Sequence, residues 1–272
     1  MIDPTPEDEA ALEATKAPLM EHLLELRKRL IWALVSFGIC FVVSFIFSSQ
    51  ILMFLTQPLH HQLAGKANDH LIYTALYEVF FTKVKIAMFG GVCLGFPAIA
   101  WQLWAFIAPG LYRHEKRAFL PFLLWTPVLF VMGGAFVYYL MLPFAIEFFL
   151  GFQVAPTAGD IGIQLQAKAS EYIGFVMTLI LAFGLTFQMP VLLSLLGKVG
   201  IVTSKGLRDM RRFAIVGMFA LAAVFTPPDP YSMLALAFPL VALYEVSIFL
   251  VRMIERNRAK EDAARAREVA TT

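Results

Sequence analysis

The chain has 272 residues, of which 59% are hydrophobic and only 15% are charged. Soluble globular domains carry about 25% charged residues, so this composition excludes a water-soluble protein and predicts an integral membrane protein. The net charge of +2 says little by itself, because in membrane proteins the location of charges sets the orientation.

The first 29 residues are predicted to form a cytoplasmic segment that contains an amphipathic helix. The segment opens with acidic residues, whereas a secretory signal peptide begins with basic residues and an early apolar core. Further along, leucines recur at spacings of four, three and four, which places them on one helical face: Leu19, Leu23, Leu26 and Leu30. We therefore expect an uncleaved helix that leads into the membrane.

Six segments are apolar enough to span a membrane, and they predict an all-α, polytopic protein. A spanning helix needs about 20 residues, and the predicted spans are 30–48, 84–104, 119–142, 172–196, 213–225 and 231–251. They define a membrane domain from 30 to 251 and a cytoplasmic tail from 252 to 272. The last two spans are short, and the fifth offers only about 20 Å of helix. Prolines inside the spans are expected to bend them into a concave bundle: Pro97, Pro127, Pro190 and Pro239.

Basic residues lie almost entirely on one side of the predicted spans. If six spans alternate, all but four of the 22 lysines and arginines share the side of both termini. The exceptions are Lys66, Lys83, Lys85 and Lys168. Because cytoplasmic loops carry an excess of basic residues, both termini are predicted to be cytoplasmic.

Two longer connections, 49–83 and 143–171, and a tight turn at 226–230 are predicted on the outer side. The stretch "TALYEVFFTKVKIAM" is interpreted as an amphipathic approach to the second span along the outer interface. The same connection contains three histidines that are expected to be solvated rather than metal-bound: His60, His61 and His70. Cys40 and Cys93 lie in separate spans and are interpreted as apolar packing residues.

Catalytic motifs are not evident in the sequence. "HEKRA" at 114–118 begins like a zinc-protease motif, but Ala118 stands where the second histidine is required. We find neither a G-x-S-x-G motif nor a phosphate-binding glycine-rich loop, and we predict no enzyme activity, cofactor, metal site or nucleic-acid partner. A small-solute secondary transporter is the alternative, although it would be expected to show internal repeats.

Four stretches carry a family resemblance: "MEHLLELRKRL" (20–30), "LWAFIAPGLYRHEKR" (103–117), "FGLTFQMPV" (183–191) and "FTPPD" (225–229). In order and spacing they closely resemble the TatC family, the multispanning receptor subunit of the twin-arginine protein translocase, from about 19 to 252. The resemblance implies a subunit of the bacterial plasma membrane, present as a homo-oligomer within the receptor complex. It would bind twin-arginine signal peptides of folded proteins at the cytosolic face. Assembly with the single-span TatB and TatA would then allow export driven by the proton-motive force.

The resemblance assigns signal-peptide binding to the residues that match Glu115 and Glu25. Glu115 lies among Arg113, Lys116 and Arg117, a basic background that would repel generic basic peptides. Carboxylates placed in that background can bind a guanidinium in a planar, bidentate manner that a lysine cannot reproduce. The alternative for Glu25 is a simple i,i+4 pair with Arg29.

Three further residues near these glutamates are candidates for the same site. Phe106 and Leu111 could contact the apolar part of a signal peptide, or they could anchor the second span at the interface. Arg27 matches a position that is important in the family, and it could equally be a basic anchor at the entrance of a helix.

Polar residues within and beside the later spans are candidates for transport or partner contact. Gln188 and Glu245 are predicted at similar depth, and we expect them to face a shared cavity or a partner helix. Many family members carry glutamate in place of Gln188, which cannot ionise, so a proton-carrying role for this position is doubtful. The resemblance adds Pro58, Asp229, which could also be the N-cap of the sixth span, and a partner-docking surface around Ala223 and Val224.

Overall fold

The computed structural model describes residues 6–63, 71–107, 116–154, 166–226 and 230–271. Within these ranges the chain folds into helices, with one isolated β-bridge between Ile72 and Lys168. The α-helices are α1 Pro6–Ile46, α2 Ser48–Leu63, α3 Glu78–Ile107, α4 Lys116–Phe136, α5 Leu142–Leu150, α6 Ala169–Thr186, α7 Met189–Val199, α8 Ser204–Asp209, α9 Arg211–Phe225 and α10 Pro230–Thr271.

The six-span, all-α architecture is confirmed. Over the described residues, five stretches are long and apolar enough to cross a membrane: His22–Ile46, Glu78–Phe106, Phe122–Leu150, Ala169–Val199 and Met233–Lys260. The predicted fifth span corresponds to α9, which has only 15 residues. At 1.5 Å per residue it covers about 22 Å, so the sequence predicted its shortness correctly.

Two of the spans are built from more than one helical piece. The third combines α4 and α5 with a π-helical turn, Val137–Met141, in which the Leu142 N–H donates to the Val137 carbonyl. Pro143 follows directly. In a regular α-helix, the proline ring would clash with the backbone carbonyl four residues earlier. The fourth span breaks between Thr186 and Met189, just before Pro190. In contrast, Pro97, Pro127 and Pro239 lie inside continuous helices, so only one of the four prolines expected to bend a span coincides with a break.

Most of the described part of the connection between the first two spans is helical. Residues 48–63 form α2, whose Leu55, Leu59 and Leu63 are buried at a spacing of four. These leucines belong to the main hydrophobic core. The apolar face of α2 packs against protein rather than lipid. The helix is therefore shorter and more polar than a membrane span. His60 and His61 lie in the last turn of this helix, and His70 lies outside the described residues.

A buried carboxylate joins the two longer connections between spans. Glu78 begins α3 and accepts hydrogen bonds from the Thr74 N–H at 2.9 Å, the Ala75 N–H at 3.3 Å and the Ser170 hydroxyl at 2.6 Å. Next to it, the Ala169 N–H donates to the Ile72 carbonyl at 2.8 Å. The N-terminal end of α3 is therefore fixed to the start of α6, with Glu78 only 8% exposed.

The fourth span is central, and α1 is peripheral. In the most apolar window of Ala169–Val199, 61% of residues are buried, against 6% for His22–Ile46. Close packing around α6 depends on small residues, since an added Cβ on Gly133 of α4 would lie 2.8 Å from the Phe183 carbonyl oxygen. On the other flank, a Cβ on Gly91 of α3 would lie 3.0 Å from the Phe41 backbone of α1. Helices in membranes commonly approach each other at such small residues.

Candidate functional site

The predicted residues of α1 lie against the C-terminal end of α3. The Glu25 carboxylate accepts from the Arg29 guanidinium at 3.1 Å, and both side chains are about one-third exposed. Arg29 also donates to the Gln102 side-chain carbonyl of α3 at 3.4 Å. The expected i,i+4 pair is therefore present, and it is linked to the neighbouring helix.

Phe106 contacts the same face of α1, one turn before Glu25. Its ring stacks on His22 with centroids 4.4 Å apart and an interplanar angle of 23°. His22, Glu25 and Arg29 share one helical face because they are spaced by three and four residues. The structure thus brings Glu25 and Phe106 together, while Arg27 is exposed and lies outside this set of contacts.

A groove of about 460 Å³ opens beside the Glu25–Arg29 pair. It is lined by Leu24, Glu25, Lys28, Arg29, Trp32 and Gln102. Two cations and one carboxylate give the groove a positive balance, and Leu24 and Trp32 supply apolar surface. Such a groove can accept an apolar segment, and its carboxylate can exchange one guanidinium for another.

The other half of the predicted site lies outside the described residues. Leu111 and Glu115 belong to the segment 108–115, as Asp229 belongs to 227–229. In the chain, the segment 108–115 follows the end of α3 that carries Phe106 and directly precedes α4.

Sequence reasoning missed Gln102, His22 and Trp32 as parts of the site. His22 lies within one of the quoted motifs, and Gln102 directly precedes another. A polar residue between apolar ones does not by itself indicate which residue it contacts. Their roles depend on the pairing of α1 with α3, two segments that are about 75 residues apart.

Pro58 is buried inside α2 and lines a cavity of about 350 Å³. The cavity is bounded by aromatic and amide side chains, among them Phe54, Gln57 and Tyr138. The Tyr138 hydroxyl donates to the Phe54 carbonyl at 2.8 Å, and the two rings stack with centroids 4.3 Å apart. Pro58 is therefore part of the contact between α2 and the third span.

Gln188 is 7% exposed and lies at the break between α6 and α7. Its amide N–H group donates to the Thr126 carbonyl of α4 at 3.0 Å and to the Gly184 carbonyl at 3.3 Å. The Trp104 indole N–H donates to the Thr126 hydroxyl at 3.2 Å. Gln188 thus ties the broken fourth span to α4, next to a tryptophan of α3.

Glu245 was expected to face a cavity shared with Gln188 or a partner helix, and in the structure its side chain contacts a different residue from those that Gln188 contacts. Its carboxylate makes a two-pronged ion pair with the Arg211 guanidinium, with both contacts at 2.8 Å. Arg211 begins α9, and the adjacent Tyr244 hydroxyl donates to the Leu207 carbonyl of α8 at 2.8 Å. The two polar residues therefore have different partners.

Ala223 and Val224 lie near the end of α9 and are exposed, Val224 by 77%. On a membrane-spanning helix, such a surface meets lipid or another helix. Their exposed position is compatible with the predicted docking surface.

Replacing Gln188 should separate its structural role from a proton-carrying one. Because the Thr126 and Gly184 carbonyls would lose a buried donor, we expect Gln188→Leu to lower stability by about 1–3 kcal/mol and to reduce transport. Gln188→Glu can keep one of these two bonds, and only when it is protonated, because a carboxylic acid has a single O–H donor. Thermal unfolding in detergent and export of a reporter protein would be measured together. Equal stability and export for Gln188→Leu and the parent chain would contradict the structural role.

Comparisons with known proteins match most of the chain to members of one family. A family model described as "Sec-independent protein translocase protein (TatC)" matches residues 21–239. A TatC protein from Magnetococcus marinus is 48% identical over 92% of this chain and 89% of its own length. The TatC protein of Escherichia coli (strain K12) is 37% identical over 90% of this chain and 92% of its own length.

Solved structures show the same likeness. A crystal structure of a protein described as the twin arginine translocase receptor TatC has a TM-score of 0.74 and 36% identity. It covers 86% of this chain and 99% of the solved one. A second crystal structure, in DDM, gives the same TM-score at 38% identity, covering 84% of this chain and 98% of the other.

Proposed function

Because this chain belongs to the TatC family of Sec-independent protein translocases, we propose that it is the subunit that receives twin-arginine signal peptides of folded proteins. The family places it in Sec-independent protein translocation as a multi-pass membrane component. The comparisons support this function over that of a small-solute secondary transporter.

The observation that carries the proposal is the groove beside Glu25. Its carboxylate lies within 3.1 Å of the Arg29 guanidinium, so an arginine of this chain already occupies the geometry that an incoming arginine would need. A signal-peptide arginine can replace Arg29 or share the carboxylate, which has two oxygens. Lys28 and Arg29 would repel peptides that cannot make this contact.

Glu115 would supply the second carboxylate of the proposed site. It follows the Phe106 end of α3 in the chain, surrounded in sequence by Arg113, Lys116 and Arg117. Each guanidinium of the signal peptide's arginine pair would then bind one carboxylate. Phe106, Leu111 and Trp32 would contact the apolar part of the signal peptide that follows the arginines.

Orientation and partners complete the proposal. The basic residues favour cytoplasmic termini in a bacterial plasma membrane, which puts the Glu25 groove on the side where folded cargo is made. TatB and TatA are the proposed partners, with their single helices packing near Ala223 and Val224. Further copies of this chain would complete the receptor complex. Since Gln188 cannot ionise, export driven by the proton-motive force would not carry protons through this side chain.

A photocrosslinking experiment tests the proposed site. We expect a benzophenone amino acid in place of Leu24, which lines the groove, to crosslink to a twin-arginine signal peptide. An excess of the same peptide should compete, whereas its twin-lysine version should not. The control is the same amino acid in place of Tyr73, which is 64% exposed at the opposite end of α3. Crosslinks at both positions, or competition by both peptides, would reject the site.

A further inference from the structure

A second groove lies where α8 and the start of α9 meet α10. Its volume is about 580 Å³, and its walls are mostly apolar, formed among others by Ile201, Leu207, Met210, Phe213 and Tyr244. Three of these side chains are more than half exposed: Ile201, Met210 and Phe213. The groove opens at the end of α9 that begins with Arg211, where the short membrane-spanning segment starts.

The walls of this groove are held in place by polar contacts with α10. The Tyr244 hydroxyl donates to the Leu207 carbonyl at 2.8 Å. Behind α8, the Ser204 N–H donates to the Glu255 carboxylate at 2.8 Å, and the Ser204 hydroxyl also donates to it. Thr203 caps α8 by accepting from the Gly206 N–H at 3.1 Å. These contacts position the groove walls, so the groove is part of the folded structure.

Basic residues lie on the two helices that form this groove. The Arg212 guanidinium lies 4.7 Å from the centre of the Phe213 ring, one of the groove walls. Lys205 and Arg208 are exposed on α8, with Asp209 as the acidic residue of that helix. The nearby Glu245 is already paired with Arg211 at 2.8 Å. Basic residues therefore outnumber acidic residues on α8 and at the start of α9.

We propose that this groove binds a phospholipid with an anionic headgroup, with one acyl chain on the apolar walls and the phosphate at Arg212. Basic pockets beside membrane helices attract anionic headgroups, each cation contributing through charge as well as hydrogen bonds. The shortness of α9 brings a headgroup within reach, because about 22 Å of helix cannot cover a hydrocarbon core of about 30 Å. The inference goes beyond the proposed function and requires neither a signal peptide nor a partner subunit.

Native mass spectrometry of the full chain in a non-ionic detergent tests the proposal. We expect phosphatidylglycerol to bind more tightly than phosphatidylcholine with the same acyl chains. Arg212→Gln should weaken phosphatidylglycerol binding about fivefold, since one headgroup contact is lost. Ala214→Phe, which fills the groove without changing its charge, should weaken both lipids. A phosphatidylglycerol with a photoreactive acyl chain should label Met210 or Phe213.

Matched variants serve as controls. Arg256→Gln removes an exposed cation from the cytoplasmic part of α10, and Val216→Phe adds a ring on an exposed side of α9; neither should alter lipid binding. Equal affinity for the two lipids, or equal effects of Arg212→Gln and Arg256→Gln, would overturn the proposal. Labelling outside the groove, or a lipid-independent dimer whose contacts map to it, would also overturn it.

Discussion

Glu115→Gln should lower the affinity for a twin-arginine signal peptide by at least about tenfold while the protein remains folded. A hydrogen bond to a charged group contributes about 1.5–3 kcal/mol, which corresponds to a factor of roughly ten to a hundred in affinity. Glutamine keeps the size of the side chain and loses the charge that attracts a guanidinium. Titration of a fluorescent signal peptide into detergent-solubilised protein would measure the effect, together with export of a reporter protein.

Two further measurements show whether the loss of affinity is specific to the contact between Glu115 and arginine. Changing the peptide's arginine pair to lysines should weaken binding to the parent chain more than binding to Glu115→Gln, because the variant has already lost the contact at residue 115 and only the contact with Glu25 is left to lose. Asp209→Asn removes one negative charge from an exposed position of α8 and should leave peptide binding unchanged. The assignment of Glu115 is wrong if the lysine peptide binds the parent chain as well as the arginine peptide does.

Gly133→Val should destabilise the membrane domain by about 3 kcal/mol or prevent its folding. A Cβ at this position would lie 2.8 Å from the Phe183 carbonyl oxygen and 3.0 Å from the Phe187 ring. The oxygen belongs to the backbone of α6, the central helix, so the contact can be relieved only by moving α4 away from the core. Overpacking of this kind typically costs about 1–3 kcal/mol, and displacement of a whole helix costs more.

Gly217→Val is the matched control for this prediction. Gly217 lies in α9, and an added Cβ there would have nothing within 4 Å. The two variants make the same change in a helix, so the difference between them isolates the α4–α6 contact. Fluorescence-detected size-exclusion chromatography after heating would compare their unfolding temperatures. Equal losses for the two glycines would show that close packing at Gly133 contributes little.

Part of the candidate site was predictable from the sequence. Glu25 and Phe106 were selected through their motifs, and the structure places both where α1 meets α3. The simple i,i+4 pair of Glu25 with Arg29 was an alternative to signal-peptide binding, and its presence is confirmed. The two interpretations are compatible, because a carboxylate held by one guanidinium is positioned to accept another.

The partners of polar residues were not predictable in the same way. Glu245 was expected to face a cavity shared with Gln188 or a partner helix, and its pairing with Arg211, which is 34 residues earlier in the chain, was not predicted. Glu78 was not selected at all, although Ser170, 92 residues later, donates to it. A periodic pattern identifies the buried face of a helix without identifying the helix that covers it.

The amino-acid sequence alone determined that this protein crosses the membrane as helices, that the fifth span is short, and that basic residues collect on one side. These properties follow from the solvent, because a backbone in lipid must satisfy its own hydrogen bonds and charges stay near water. Only the tertiary structure decided that residues 48–63 form a helix packed on the core, and that Gln188 ties the fourth span to α4. Such contacts depend on which helices become neighbours, and in lipid that choice is made by close packing and hydrogen bonding between segments far apart in the chain.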